Sequence, residues 1–395
     1  MFTMTVYRRD HFIYLASVFC FWLATYIYVP VFSLYLENIR FSYEAIGIIL
    51  GSYGVLQVAL RFPLGVLADR LLFLRKWLYV SSFAIAIISG LILVFFESFT
   101  MVLIGRLLAG MTAAMWVMAT IMYAQYVKKE NAGRAMGAMQ LFTVLPQFAS
   151  ILTAGFLVES LGCFRRFGVA ASFIGLLLAV SIKVIPASNE ENVRYSIGEY
   201  VTRTLKTKQL LPISTIALIT HGLMFISIFG FTPNYAATLG ISEQAIVLLM
   251  TAFFLPHAVA SLIVTAYHLN PHTERIVILT CMVLAALMFF LVPFTNSLWT
   301  LSATHFLIGL ALGFVLPICL SQVARLAPDS LKTSVMGFFQ SYYAAGIFLG
   351  PWIAGMVAEA FQLHAVFVFA SIVAVIGSMI TLYLINDQRQ RVAKH

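Results

Sequence analysis

Charge is what this sequence has least of. Only 10% of its 395 residues are Asp, Glu, Lys or Arg, and 62% are hydrophobic, where a soluble domain carries roughly 25% charged residues. That balance excludes an ordinary water-soluble fold. Cysteine is also scarce: Cys20, Cys163, Cys281 and Cys319 lie far apart with no CxxC pair, so neither a disulfide framework nor a metal site follows. Acid is absent where it would matter most, because all fifteen Asp and Glu residues fall in loops or at predicted helix ends. No embedded Ser/His/Asp set, paired carboxylates or metal-spaced His/Asp cluster is visible, so neither an enzyme nor a cofactor is expected.

The net charge of +9 does not point to nucleic acid, because the basic residues are scattered among short loops and form no stripe. What the chain has instead is apolar runs of eighteen or more residues, each long enough to cross a hydrocarbon core of about 30 Å as a helix. Bounded by charge and turn signals, they predict twelve spans: 11–36, 43–68, 77–96, 101–127, 133–158, 164–185, 209–238, 243–267, 274–294, 298–325, 332–358 and 363–385. The first is too long for a signal-peptide core and reads as an uncleaved span. "PASNEENVRYSIGEYVTRTLKTK" (186–208) is the one long polar segment. It reads as a linker between an N-terminal six-helix bundle, 1–185, and a C-terminal one, 209–395.

Apart from the embedded Arg61 and Arg106, Lys and Arg collect on the side holding both termini, with only Arg40, Arg165 and Arg166 on the other. Basic loops stay cytoplasmic, so both ends are expected inside, in a multi-pass protein of the cell inner membrane. The halves also resemble each other. "RAMGAMQLF" (134–142) matches "SVMGFFQSY" (334–342) at an offset of 200, which also pairs Ala154-Gly155 with Ala354-Gly355 and Glu159 with Glu359. A one-residue shift sets "RLLAG" (106–110) against "HFLIG" (305–309). Two such bundles related by an axis along the membrane normal are the arrangement of one large class of transporters.

"GVLADR" (65–70), at the end of span 2, resembles the signature of the major facilitator superfamily, and "RLLAG" in span 4 resembles its second signature. With twelve spans, a central loop and a duplicated half, the resemblance covers the whole chain. It implies an all-α polytopic fold of twelve transmembrane helices in two pseudo-symmetric six-helix bundles. It also implies secondary transport of a small molecule by alternating access, driven by a proton or other ion gradient. Span 11 contains "GIFLGPWIAG" (346–355), resembling the antiporter motif, while span 5 reads "SILTAG" (150–155) and keeps only part of it. Proton-coupled export is the expectation, with an uncoupled facilitator or a proton-coupled importer as alternatives, in a chain expected to be monomeric.

The resemblance casts Gly65, Asp69 and Arg70 as a cytoplasmic gate, with Asp69 docking on the start of span 11 near "DSLKTS" (329–334), where a helix N-terminus favours a carboxylate. Gly110, Gly155, Gly346, Gly350, Pro351 and Gly355 are expected to allow close helix packing. Arg106 lies inside span 4, where an unpaired charge costs at least about 2.5 kcal/mol; by resemblance it faces the cavity. Arg61 lies eight residues before Asp69 and so on the same helix face, as a structural partner or a substrate contact.

With no carboxylate at mid-depth, a histidine could carry the proton. His221, His257 and His305 are the embedded candidates, His221 first because span 7 also holds Gly222, Gly230, Pro233 and Asn234. Tyr26, Gln140, Gln147, Asn234, Gln340 and Tyr343 complete the expected cavity. Embedded positive charge without opposing carboxylates favours an anionic or zwitterionic, amphipathic cargo. His268, His272 and Glu274 look superficially like a metal cluster, but Pro271 interrupts them, and a solvated loop is expected there.

Overall fold

The computed structural model describes residues 6–70, 74–126, 139, 142–143, 145–150, 153, 163–185, 196–266, 270–326 and 332–392. Every regular element among them is helical. Ten of these stretches are long and apolar enough to cross a membrane: Arg8–Asn38, Tyr43–Leu64, Arg75–Phe95, Phe99–Thr120, Leu210–Thr238, Ala245–Val264, Pro271–Phe294, Leu298–Val323, Ser334–Phe361 and Leu363–Asn386. They correspond to the predicted spans 1–4 and 7–12. Span 6 is the shorter apolar helix Arg166–Val180, and most of span 5 lies outside the described residues. The fold is all-α and polytopic, with two pseudo-symmetric halves.

Several spans are interrupted. Span 1 is two helices, Arg8–Tyr26 and Val29–Asn38, and Pro30 opens the second. A proline is tolerated there because its missing N–H has no partner at a helix start. Span 7 runs as an α-helix over Leu210–Ile226, a π-helical turn over Ser227–Phe231 and a short helix over Thr232–Thr238 with Pro233 near its start. Such π-turns are frequent at functional sites. Span 4 breaks at Met115, between Phe99–Ala114 and Trp116–Ala124. Within the polar segment read as a linker, Ile197–Leu205 is a helix. The Ser196 hydroxyl accepts the Glu199 amide at its start, and the Glu199 carboxylate accepts the Ser196 amide, a reciprocal cap that satisfies two otherwise free donors.

The repeat extends well beyond the matched motifs. Phe41 N–H bonds the Leu36 carbonyl at 3.1 Å, and Ile241 N–H bonds that of Ala236 at 3.1 Å, two hundred residues on. Arg40 (φ 66°) and Gly240 (φ 72°) both hold the left-handed conformation that closes such a helix end. Ser42 and Ser242 then accept the amides of Ala45 and Ala245. Deeper in, a Cβ on Gly110 would stand 2.3 Å from the Tyr53 carbonyl oxygen, and one on Gly309 would stand 2.2 Å from that of Phe253. Spans 2 and 4 therefore cross as spans 8 and 10 do.

The halves meet along spans 2 and 11. Cβ atoms on Gly47, Gly51 and Gly54 would each come within 3 Å of span 11 backbone, at Pro351, Phe348 and Ala344. Further along, Phe62 N–H donates to the Ser341 hydroxyl at 2.9 Å. Span 11 packs as tightly on span 7, with Gly346 against the Leu218 carbonyl and Gly350 against Gly222. Without hydrophobic drive between helices in lipid, this backbone proximity is what holds spans together.

Candidate functional site

Of the four arginines buried among the described residues, Arg61 and Arg106 meet one aromatic cluster. Arg106 is 1% exposed, and its Nη1 donates to the Tyr28 hydroxyl at 3.0 Å. Its guanidinium carbon stands 4.5 Å from the Tyr53 ring centre, 5.4 Å from that of Phe32 and 5.5 Å from that of Tyr28. Rings present their negative faces to the cation, and each desolvated contact contributes about 2 kcal/mol, which offsets part of the burial cost. The break in span 1 brings Tyr28 to this place. Arg106 Nε remains without a partner.

Arg61 is also buried. Its Nη1 donates to the hydroxyl of Tyr343, on span 11 of the other half, at 3.0 Å. The Tyr343 ring stacks on His221 of span 7, centroids 4.2 Å apart and planes 9° from parallel. The result is a chain, Arg61–Tyr343–His221, that links spans 2, 11 and 7. Tyr26 and Tyr53 lie within electrostatic reach of both arginines. Phe225 stacks on Tyr53, and Phe229 and Trp22 meet Tyr26 at tilted angles of 50° and 45°, lining the cluster with aromatic surface from both halves. Trp22 Nε1 and Arg61 Nε there, and Gln340 Oε1 on span 11, are buried polar atoms without partners. Unpaired buried polar atoms are uncommon, and these suit a polar, aromatic-compatible guest.

The three histidines have different settings. His221 is half-buried, and Nδ1 faces only the Ala217 carbonyl at 3.3 Å. His257 stacks on Phe253 and lies near His221, with Nδ1 unpaired. His305 is 0% exposed and has both nitrogens engaged: Nδ1 with the Leu301 carbonyl at 2.9 Å, Nε2 with the Thr232 hydroxyl at 3.0 Å. It ties span 10 to the segment after the π-turn of span 7.

Gln147 is half-buried, and Gln140 and Gly155 fall outside the described residues. Gly65, Asp69 and Arg70 belong to the helix Tyr43–Arg70, but their side chains, and residues 327–331, lie outside what is described. Asn234 is not in the central cluster. It is fully buried at the loop end of span 7 opposite the termini, where its Nδ2 donates to the Glu37 carboxylate. Gly355 lies against the Tyr43 carbonyl at that same end.

Glu274 corrects the solvated-loop reading. It is 4% exposed and accepts from Arg325 and from Gln322 Nε2, the latter at 3.2 Å, because the end of span 10 folds over the start of span 9. Exposed His272 does not share that site, and no group that could hold a metal ion occurs among the described residues. Sequence reasoning also missed that Arg75 and Arg275, at the same offset of 200, are both buried at the termini's end.

Comparison with known proteins agrees with this architecture. The Major Facilitator Superfamily sequence model matches residues 14–235 and again 214–395. The chain is 22% identical over 361 residues to the inner membrane transport protein YajR of Escherichia coli, covering 90% of this chain and 78% of that one. It is 23% identical over 196 residues to a multi-drug resistance efflux pump PmrA homolog of Lactococcus lactis, covering 49% of this chain. The chain spans about half the length of that pump and little more than a third of two further curated relatives. Among solved structures, a mutant of the nucleoside transporter NupG superposes with a TM-score of 0.77 at 16% identity, covering 95% of this chain and 99% of that one. The chain belongs to the Major Facilitator Superfamily and is a multi-pass membrane protein.

Proposed function

We propose that this transporter is a proton-coupled exporter of small anionic or zwitterionic, amphipathic molecules, and that the cargo binds at the Arg61–Arg106 cluster. The carrying observation is charge: two buried guanidiniums sit in an aromatic enclosure in a chain whose spans hold no carboxylate at mid-depth. A cationic drug would meet only repulsion there, whereas a carboxylate gains charge-assisted hydrogen bonds. Tyr26, Gln147, Gln340 and Tyr343 shape the cavity in this reading, with His221 and His257 as proton carriers.

The halves 1–185 and 209–395 rock about this site, joined by 186–208. Gly65, Asp69 and Arg70 hold the inner door at the entrance to span 11. The chain is read as a monomer; the Lys and Arg distribution supports both termini in the cytoplasm, and the YajR likeness supports the inner membrane. Export is supported by likeness to a pump whose name says efflux.

The test is transport by purified protein in proteoliposomes, using an aromatic monocarboxylate and a lipophilic cation as probes, with and without an imposed pH gradient. Gradient-driven movement of the anion that R61A and R106A abolish is expected. Anion movement indifferent to the gradient assigns an uncoupled facilitator instead, and movement in the same direction as the proton assigns an importer. Preference for the cation overturns the cargo class.

A further inference from the structure

The end of the bundle opposite the termini carries a second polar cluster built from both halves. Glu37 closes span 1. Its carboxylate accepts from Asn234 Nδ2 of span 7 and from the Tyr43 hydroxyl at 2.6 Å. Tyr43 opens span 2, and its backbone N–H, free at a helix start, donates at 2.9 Å to Glu359 at the end of span 11. Two of these bonds, Asn234 to Glu37 and Tyr43 to Glu359, cross between the halves. Just below, Gly47 and Gly355 leave no room for a side chain: a Cβ on Gly47 would come 2.4 Å from the Pro351 carbonyl and 3.0 Å from Gly355 Cα. The mouth is shut here. A cavity of about 640 Å³ opens above it, lined by Glu37, Tyr43, Tyr235, Glu359 and His364 among others.

One atom of this cluster is out of place. Asn234 is 0% exposed, and its Oδ1 has no hydrogen-bond donor. A carboxylate can only accept, so an ionised Glu37 satisfies the amide N–H and leaves the amide oxygen orphaned. A protonated Glu37 supplies the missing O–H: it donates to Oδ1 while its other oxygen accepts from Nδ2, giving a two-bond acid–amide pair. Both of its present partners are neutral, so no ion pair is lost. Shutting the mouth also brings a second carboxylate, Glu359, to the same tyrosine, on its backbone N–H.

We propose that Glu37, Asn234, Tyr43 and Glu359 form the latch of the mouth opposite the termini, and that a proton taken up by Glu37 from the medium at that mouth secures it. The extra bond exists only when the halves are closed, so protonation and closure favour each other by linkage. The benefit to the transport cycle rests on the proton-coupled reading above. A carrier that has discharged its cargo outward takes a proton at Glu37, shuts and turns inward.

The test reads closure directly, without cargo or gradient. Spin labels attached by non-cysteine chemistry at Asn38 and Ala237, both exposed, report the separation of spans 1 and 7 in nanodiscs by double electron–electron resonance. Acidifying the medium is expected to raise the closed-to-open ratio about tenfold, the equivalent of one hydrogen bond. E37Q carries a permanent N–H donor and is expected to stay closed at every pH, while N234A opens and loses the response without a matching fall in melting temperature. Since His364 lines the same cavity, H364Q must keep the full response. A wild-type distance indifferent to pH, a pH response surviving in E37Q, or one lost in H364Q overturns the proposal. A pH-dependent latch combined with gradient-independent transport would leave the latch standing and remove proton coupling instead.

Discussion

The Arg61 guanidinium reaches across the boundary between the two halves to the Tyr343 hydroxyl, 3.0 Å away, and the Tyr343 ring in turn lies flat on His221. An anion bound at Arg61, as proposed, would compete for the donor that now bonds span 2 to span 11 and so loosen a contact between the halves. Removing the acceptor alone should mimic that loosening. Y343F keeps the ring stack and the cation–π face but deletes the hydroxyl, and tighter anion binding by several-fold is expected because Nη1 is no longer occupied. R61K, which loses the fork geometry, should weaken binding at least about tenfold. Isothermal titration with an aromatic carboxylate checks both, and weaker binding in Y343F would mean the hydroxyl contacts cargo itself.

Glycine substitutions separate backbone contact from mere proximity. A Cβ on Gly110 would stand 2.3 Å from the Tyr53 oxygen and one on Gly346 would stand 2.0 Å from the Leu218 oxygen, whereas one on Gly222 meets nothing nearer than 3.5 Å. Backbone cannot give way as a side chain can. G110A and G346A should each cost about 1–3 kcal/mol and lower the melting temperature in detergent by several degrees. G222A, by contrast, should melt within a degree or two of wild type despite lying in the same crossing of spans 7 and 11.

The three embedded histidines should respond differently to removal. His305 has a partner on each ring nitrogen, so H305A leaves the buried Thr232 hydroxyl unpaired and should destabilise by about 1–3 kcal/mol while the pH profile of transport keeps its shape. His221 stacks on Tyr343, but its Nδ1 has only one weak contact, at 3.3 Å. H221A should destabilise by no more than about 0.5–1.5 kcal/mol, the worth of the lost stack, yet displace the pH profile. Thermal melting and proteoliposome uptake on the same preparations check both, and an H305A profile that moved like that of H221A would assign His305 to proton handling.

Apolar run length made the fold class legible, because a helix must be long and apolar to cross lipid with its backbone satisfied. Register at an offset of 200 announced the duplication, and the same offset pairs Tyr35 with Tyr235 and Ser42 with Ser242 in a stretch whose common caps are plain only in three dimensions. What stayed hidden depends on contacts between distant spans. Glu37 reads as a helix-end acid because nothing local tells that Asn234, nearly two hundred residues on, folds onto it. Glu274 reads as loop because Arg325 arrives from the end of the next span. Pro30 and Pro233 mark two of the interruptions, but the break at Met115 has no proline to announce it.

The helix Ile197–Leu205 should respond to acid. Its Glu199 carboxylate accepts the Ser196 amide at 2.9 Å and the Ser196 hydroxyl at 3.0 Å, and these bonds hold its carboxyl below the usual range, with a smaller contribution from Arg203. A carboxyl whose folded value is depressed adds stability above its unfolded value, near 4.3, and loses it as pH falls through the folded value. Amides 197–205 should therefore be more protected near neutral pH than in acid, after correction for intrinsic exchange. E199Q, which retains an acceptor but no charge, should lower protection at neutral pH and flatten the acid dependence. Hydrogen–deuterium exchange on the full chain reads both, and equal acid sensitivity in E199Q and wild type would place the responsive group elsewhere.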